Sequence, residues 1–378
     1  MLTDKLTNIA NAIRQKGGTT EKLTLDAMPT AISALSTGGG GGGVDIPDEA
    51  FVISGDCSYW DYGGNWDTFI TAYANKWSTS NIASGISMFN RSKLETIPFE
   101  LNFTNSTCDC GNLFYGCINL KTIGKIVNMY PGSMSYMFYA CYKLRYLPQF
   151  ENINLTYFQT YSYSNGSSMV RDCYSLRSIP EDLLKQLYQS KLTSVYNSIF
   201  YNNFAYCYAL DEIKGLNPQT GTITSNLFNG TFGNCFRLKN IVFAIQEDGT
   251  PYIVNWKNQN INLSSTVGYA STNASILNYN SGITADKEVV DDATYQALKN
   301  DADWFTTNIA YSRYNHDSAV ATINTLPDTS AYLASGGGTN TIKFKGESGS
   351  ATDGGAINTL TEAEIAVATA KGWSVSLV

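Results

Sequence analysis

"MFYACYKLRYLP", residues 137–148, places Phe138, Cys141, Leu144 and Leu147 three residues apart and ends at a proline. This spacing alone is compatible with one face of a helix. The frame F-x-x-C-x-x-L-x-x-[IL]-P recurs with variations elsewhere in the chain, at 88–98, 113–124, 169–180, 204–214 and 232–241. Such recurrence is typical of a repeat array, so we interpret the stretch as one turn of an array.

One position marks every repeat and defines the period. It is occupied, in chain order, by Ser92, Cys117, Cys141, Cys173, Cys207 and Cys235, so the steps are 25, 24, 32, 34 and 28 residues. A coil this short cannot bury its apolar side alone, and neighbouring coils therefore have to stack into a continuous core. The sequence predicts a mixed α+β protein whose centre, residues 87–245, is a solenoid of short strands.

The repeat cysteines predict buried, reduced thiols rather than a disulfide framework. Five of the eight cysteines stand at the same repeat position, where a small, weakly polar side chain suits the core of each coil. A serine introduced at Cys141 is expected to lack an assured hydrogen-bond partner. Cys57, Cys108 and Cys110 lie outside the frame, and a C-D-C pair without a histidine at ligand spacing does not favour zinc. We predict neither a metal nor a cofactor.

Composition and charge exclude several classes of protein. A hydrophobic content of 43%, with 13% aromatic residues, is too high for a disordered chain. The net charge of -7 provides no basic face for a phosphate backbone, so nucleic acid is not an expected partner. No apolar run reaches the roughly 18 residues that a membrane span needs, and the first 16 residues lack the apolar core of a secretory signal.

The N-terminal segment 1–37 predicts a helical hairpin. The apolar positions of its two helices follow helical spacing, and Gly17 and Gly18 separate them. The stripe that we expect to dock on another protein consists of Leu6, Ile9, Ile13, Met28, Ile32 and Leu35. Residues 38–43 are all glycine and predict a flexible linker, so the hairpin is expected to be an attachment module on a tether.

Both ends of the repeat block require covering, because an open solenoid end exposes its core. We assign residues 44–86 to an N-terminal cap and residues 246–378 to irregular repeats with a C-terminal cap. Within the latter, short helices are predicted over 286–305 and 316–333, with Asp317 as an N-cap, and a strand over 340–346. Thr361 and Glu364 form a capping-box pattern before a helix that runs to Lys371 and stops at Gly372, and residues 373–378 read as a closing strand.

Two groups of aromatic residues are candidate binding sites. The residue that follows the repeat cysteine is aromatic in four of five coils: Ile118, Tyr142, Tyr174, Tyr208 and Phe236. Equivalent strand-like positions lie roughly 5 Å apart, so these rings can form a ladder that either seals the core or a subunit interface, or binds a sugar. The second group lies among Asn and Ser in inserted loops, and consists of Tyr157, Tyr161, Tyr163, Tyr196 and Tyr201.

An enzymatic role is not predicted. The chain has one histidine, His316, so serine and cysteine nucleophiles lack their usual base. Glycan hydrolysis needs only two carboxylates, and the candidates by position are Asp109, Glu181, Asp182, Asp211 and Glu212. Nothing in the sequence pairs any two of them, although a glycan depolymerase stays open as an alternative.

Three stretches resemble known families. The repeat frame resembles the BspA-type leucine-rich repeat family of bacterial surface proteins and gut phages. Residues 6–35 with the following glycine run resemble the N-terminal module of tail and baseplate-associated phage proteins, and residues 356–378 resemble a C-terminal coil common in the same proteins.

These resemblances imply a leucine-rich-repeat-like solenoid in a tail fibre or baseplate-associated receptor-binding protein of a phage. Residues 1–37 are then expected to contact tail or baseplate proteins, and the array a glycan or protein of the host cell surface. A trimer, assembled in the host cytoplasm and carried on the virion, is the expected state. A bacterial surface adhesin is the alternative from another class.

Overall fold

The computed structural model describes residue 10 and residues 52–56, 77–104, 106–154, 167–181, 183–184, 201–216, 222–224, 226–233, 235, 238–264, 314–345 and 360–378. The strands of the N-terminal half are β1 (Val52–Asp56), β2 (Ser78–Ser84), β3 (Thr96–Ile97), β4 (Leu101–Asn102), β5 (Thr107–Asp109), β6 (Thr122–Ile123), β7 (Ile126–Val127), β8 (Tyr130–Ser133) and β9 (Phe150–Glu151). The later strands are β10 (Glu212–Leu216), β11 (Thr222–Ile223), β12 (Asn240–Phe243), β13 (Asn255–Trp256), β14 (Asn260–Asn262), β15 (Asn340–Phe344) and β16 (Trp373–Leu377). The helices are α1 (His316–Thr325), α2 (Ser330–Gly336) and α3 (Glu362–Ala370).

The strands of neighbouring repeats pair in parallel at equivalent positions. Leu101 of β4 pairs with Ile126 of β7, and Ile126 pairs in turn with Phe150 of β9. The pairs β3–β6, β5–β8 and β10–β12 are also parallel. Parallel partners one repeat apart require that the chain complete a full circuit between them, which is what the sequence period demands.

The turns of the repeats are also joined from one repeat to the next. The amide of Phe89 donates to Leu113 O, and the amides of Phe114 and Phe138 make the equivalent bonds, each at 2.8 Å. The phenylalanine rings of successive repeats stack, with centroids 5.5 Å apart between Phe89 and Phe114 and 5.2 Å apart between Phe114 and Phe138. These three rings are buried, so the motif's first position forms a continuous apolar column.

The repeat cysteines form a second column, which we call the thiol ladder: Cys117, Cys141, Cys173, Cys207 and Cys235. Each thiol donates to a carbonyl of the preceding repeat, as Cys141 Sγ does to Phe114 O at 3.2 Å. All five cysteines are free and buried, as predicted. Burial raises the pKa of the Cys141 thiol, so it stays protonated and can donate. A buried partner for a hydroxyl therefore exists at this site, and the expectation that a serine would lack one is wrong.

The C-terminal part combines helices with a three-stranded parallel sheet, β14–β15–β16. The predicted capping box is confirmed, because the Thr361 side chain accepts from Glu364 N and the Glu364 side chain accepts from Thr361 N. Lys371 ends α3 and its ammonium donates to the carbonyls of Ile323 and Asn324, at the last turn of α1.

One local prediction for this part is wrong. The N-cap of α1 is Asn315, whose side chain accepts from Ser318 N at 3.0 Å, and Asp317 lies in the first turn. The side-chain oxygen of Asn315, two residues before Asp317, accepts from an amide of the first turn that has no partner within the helix. Asp317 lies inside that turn, where its negative charge interacts favourably with the helix dipole.

Several predicted segments lie outside the described residues. These are the hairpin with its stripe (Leu6, Ile9, Ile13, Met28, Ile32 and Leu35), the glycine linker, most of the N-terminal cap and the helix over 286–305. Within the part of the chain that the structure describes, no helix is both long and apolar enough to span a bilayer.

Candidate ligand-binding site

The tyrosines that follow the repeat cysteines do form a ladder, which we call the sealed row: Tyr142, Tyr174 and Tyr208. The ring centroids are 4.4 Å apart between Tyr142 and Tyr174 and 4.9 Å apart between Tyr174 and Tyr208, with interplanar angles of 13° and 11°. Tyr208 is only 3% exposed, and the other two are half-buried. The hydroxyls of Tyr142 and Tyr174 are hydrogen-bonded, and burial raises the pKa of both. Phe236, the next position, lies outside the described residues.

A second group of tyrosines, the open row, was not found from the sequence. Tyr115 and Tyr139 stack with centroids 5.0 Å apart and an interplanar angle of 6°. Tyr136 stands edge-on to both, 6.3 Å from Tyr115 and 5.6 Å from Tyr139. Tyr115 and Tyr139 are half-buried and Tyr136 is exposed at 37%, so this row is open to solvent along one side.

Two arginines lie at the ends of the Tyr115–Tyr139 stack. The Arg91 guanidinium carbon is 5.9 Å from the Tyr115 ring centroid. The Arg171 guanidinium carbon is 5.9 Å from the Tyr139 centroid and 5.3 Å from that of Tyr206. Cations at these distances are attracted by the ring faces, so the order along the array is arginine, two tyrosines, arginine.

These side chains surround a cleft of about 520 Å³, which we call the cleft throughout. Its lining residues are Asn90, Arg91, Asn112, Tyr115, Tyr136, Tyr139 and Arg171. The lining offers aromatic surface, amide groups and guanidinium donors, and it contains no carboxylate. This is the combination that recognises sugars, since rings stack on the apolar face of a pyranose while amides and guanidinium groups bind its oxygens.

Tyr136 differs from its equivalents in the other repeats in residue type, although it shares their conformation. Five residues before the marker position, each repeat has a left-handed backbone: Ser87, Asn112, Tyr136, Ser168, Asn202 and Gly230, with φ between 51° and 64°. Serine, asparagine and glycine adopt this region readily or hydrogen-bond locally within it, whereas a bulky aromatic residue there is an outlier. An exposed ring in this conformation costs roughly 1 kcal/mol, which makes Tyr136 a candidate functional position.

Behind the cleft, a carboxylate fixes one tyrosine and one arginine. Asp172 accepts a hydrogen bond from the Tyr139 hydroxyl, and its Oδ2 lies 3.4 Å from Arg171 Nε. Burial raises the pKa of Asp172, although Arg171 and Tyr139 both favour its ionised form. Burial and then the nearby Asp172 charge raise the pKa of Tyr139 to about 12, so its hydroxyl stays protonated and donates.

The structure describes only some of the remaining predicted residues. Tyr201 is exposed at 42%, and Tyr157, Tyr161, Tyr163 and Tyr196 lie outside the described residues. Of the candidate carboxylates, Asp109 accepts from Gly111 N at 2.8 Å and Glu212 pairs with Lys214 at 2.8 Å. His316 contacts Asp317 and Glu364. Among the described side chains, no three His, Cys, Asp or Glu residues are grouped so as to hold a metal ion.

The open row left a signal in the sequence. Two residues before the marker position, the first four repeats have Asn90, Tyr115, Tyr139 and Arg171. The position after the cysteine does not include these residues. They become visible when every position of the turn is compared from repeat to repeat.

Comparisons of the chain with family models, with curated proteins and with solved structures found no match. A functional conclusion therefore has to come from the residues and their geometry.

Proposed function

We propose that the chain is a component of a phage tail or baseplate that attaches to a glycan of the host surface through the cleft. The observation that carries the binding role is Tyr136, an exposed aromatic ring in a left-handed conformation that the other repeats give to Ser, Asn or Gly. The virion role is supported by the resemblance of residues 6–35 and 356–378 to modules of tail and baseplate-associated proteins.

We also propose a fold for the repeat region. Parallel pairing at repeat spacing, the phenylalanine column and the thiol ladder all support a leucine-rich-repeat-like solenoid with caps at both ends. Such an array presents its turns in a line, so side chains from neighbouring repeats converge on one ligand. We expect a symmetric trimer, because several weak sugar sites on one particle gain avidity.

The ring faces that are not covered by other side chains determine where a sugar can stack in the cleft. Arg91, Arg171 and the partner rings cover the faces of Tyr115 and Tyr139, and so these two rings offer edges and hydroxyls. Tyr136 is roughly perpendicular to them and is the most exposed of the three. In our proposal a sugar stacks on Tyr136, while Asn90, Asn112 and the tyrosine hydroxyls bind its hydroxyl groups.

The test of the binding role is Tyr136→Asn, measured by adsorption of the purified full chain to host cells. We expect roughly five- to hundredfold weaker adsorption, since stacking of a planar ligand on an aromatic ring contributes about 1 to 3 kcal/mol, together with equal or higher thermal stability. The matched control is Tyr146→Asn, because Tyr146 is 59% exposed and does not line the cleft. Unchanged adsorption of Tyr136→Asn would refute the role of the cleft.

The virion role is tested separately by deleting residues 1–43. If these residues attach the chain, particles lose the protein while the remaining chain stays folded in solution. Particles that still carry the truncated chain contradict the attachment role, and particles that never contain the full chain contradict the virion assignment.

A further inference from the structure

We infer that the sugar bound in the cleft carries a carboxylate, as a uronic acid does; this inference rests on the proposed function. The chain as a whole has a net charge of -7, yet the cleft is lined by two guanidinium groups and no carboxylate. Guanidinium groups in a cleft without carboxylates produce a local positive field, which attracts an anionic group.

Arg91 is the group that is free to bind such an anion. Its side chain is exposed, and it forms no ion pair within the described part of the chain. Its guanidinium lies over the Tyr115 ring, which orients the side chain at the end of the stack. A guanidinium held in this way keeps most of its donors for a ligand, and its fork matches a planar carboxylate.

Arg171, at the other end, is partly neutralised. Its Nε is buried without a well-aligned hydrogen bond and has Asp172 Oδ2 at 3.4 Å, so this contact is an ion pair of poor geometry. Removing Arg171 would leave Asp172 without its cation, and the variant would report on folding as well as on binding. Arg91 therefore provides the cleaner test.

Tyr136 and Arg91 are both neighbours of the Tyr115 ring. Tyr136 is 6.3 Å from Tyr115, and the Arg91 guanidinium carbon is 5.9 Å from the same ring. Both groups also line the cleft, so we infer that a sugar ring stacked on Tyr136 directs its exocyclic carboxylate towards Arg91. A neutral sugar leaves that donor group to water, and the acid form gains a charge-assisted bond.

The experiment compares methyl glucuronide with methyl glucoside, which differ only at the carboxylate, by ligand-observed NMR titration of the full chain. We expect roughly tenfold tighter binding of the glucuronide at low salt, a preference that falls as salt is added. Arg91→Gln should abolish the preference, so that the glucuronide binds no more tightly than the glucoside. The control is Arg177→Gln, which removes the same charge from an exposed arginine outside the cleft and should keep the preference.

The possible outcomes distinguish the acidic-sugar inference from the proposed sugar site. Equal affinity for both sugars, or a preference that survives Arg91→Gln, overturns the acidic-sugar inference and leaves the sugar site standing. Displacement of the glucuronide by equimolar inorganic phosphate overturns it in favour of a general anion site. Binding of neither sugar, with no effect of Tyr136→Asn on adsorption, overturns both.

Discussion

The open row and the sealed row each contain a stacked pair of half-buried tyrosines, and the geometry of the two pairs is almost the same. Tyr115 and Tyr139 of the open row are 5.0 Å apart, and Tyr142 and Tyr174 of the sealed row are 4.4 Å apart. Only the sealed row ends in a buried ring, Tyr208, whereas the open row borders a cleft. Stacking alone therefore does not identify a binding surface; burial and the neighbouring charges do.

The largest expected effect on stability comes from removing the rings of the sealed row. Changing Tyr142, Tyr174 and Tyr208 to serine should lower the free energy of unfolding by roughly 5 kcal/mol, because large, partly or fully buried rings are deleted. Urea denaturation measures this loss. The control is Tyr115→Ser in the open row, for which we expect about 1 kcal/mol. Equal losses in the two variants would contradict the distinction between the rows.

A second experiment uses alkaline pH. Burial raises the pKa of Tyr142 and Tyr174, and that of Tyr139 to about 12, above the value of about 10 in an unfolded chain. Their contribution to stability is complete below pH 10 and is lost as the pH rises through the folded pKa. We expect stability to fall between about pH 10 and 12 and Tyr174→Phe to flatten that fall. An unchanged slope in Tyr174→Phe would count against the burial of this hydroxyl.

The thiol ladder provides a smaller effect. Cys141→Ala removes the donor to Phe114 O and leaves that buried carbonyl short of one bond, which costs on the order of 1 to 2 kcal/mol. Cys141→Ser keeps a donor, although its shorter C–O bond reaches less far, so it should lie between the alanine variant and the parent. Ser92 occupies the same position in the first repeat. A serine variant less stable than the alanine variant would argue against the donor role.

The smallest effect concerns the contact between α1 and α3, away from both rows. His316 Nδ1 is 3.2 Å from Asp317, and its Nε2 is 3.3 Å from the Glu364 carboxylate. Hydrogen bonds to Asp317 and then to Glu364 raise the pKa of His316 above 6.5. The contact stabilises the fold at low pH and weakens as the pH rises through that raised pKa. The melting temperature should drop slightly between pH 6 and 8, and His316→Gln should remove this dependence.

Much of the local structure could be predicted from the sequence. The capping box at Thr361 and Glu364 depends on residues three apart, so the pattern predicts the bonds without knowledge of the fold. The ladder of Tyr142, Tyr174 and Tyr208 followed from one column of the repeat. Asn315 displaced Asp317 as the N-cap because both residue types cap well and only the path of the backbone selects between them.

The sequence by itself determined the period, the free state of the repeat cysteines and the stacking of the tyrosines after them, because each depends on the same position recurring from repeat to repeat. Tertiary structure alone decided that one stack ends in the buried Tyr208 and that the other borders a cleft. It also brought Arg91 and Arg171, 80 positions apart in the sequence, to the two ends of one pair of rings. Exposure and convergence depend on how successive turns are oriented, and no single repeat contains that information.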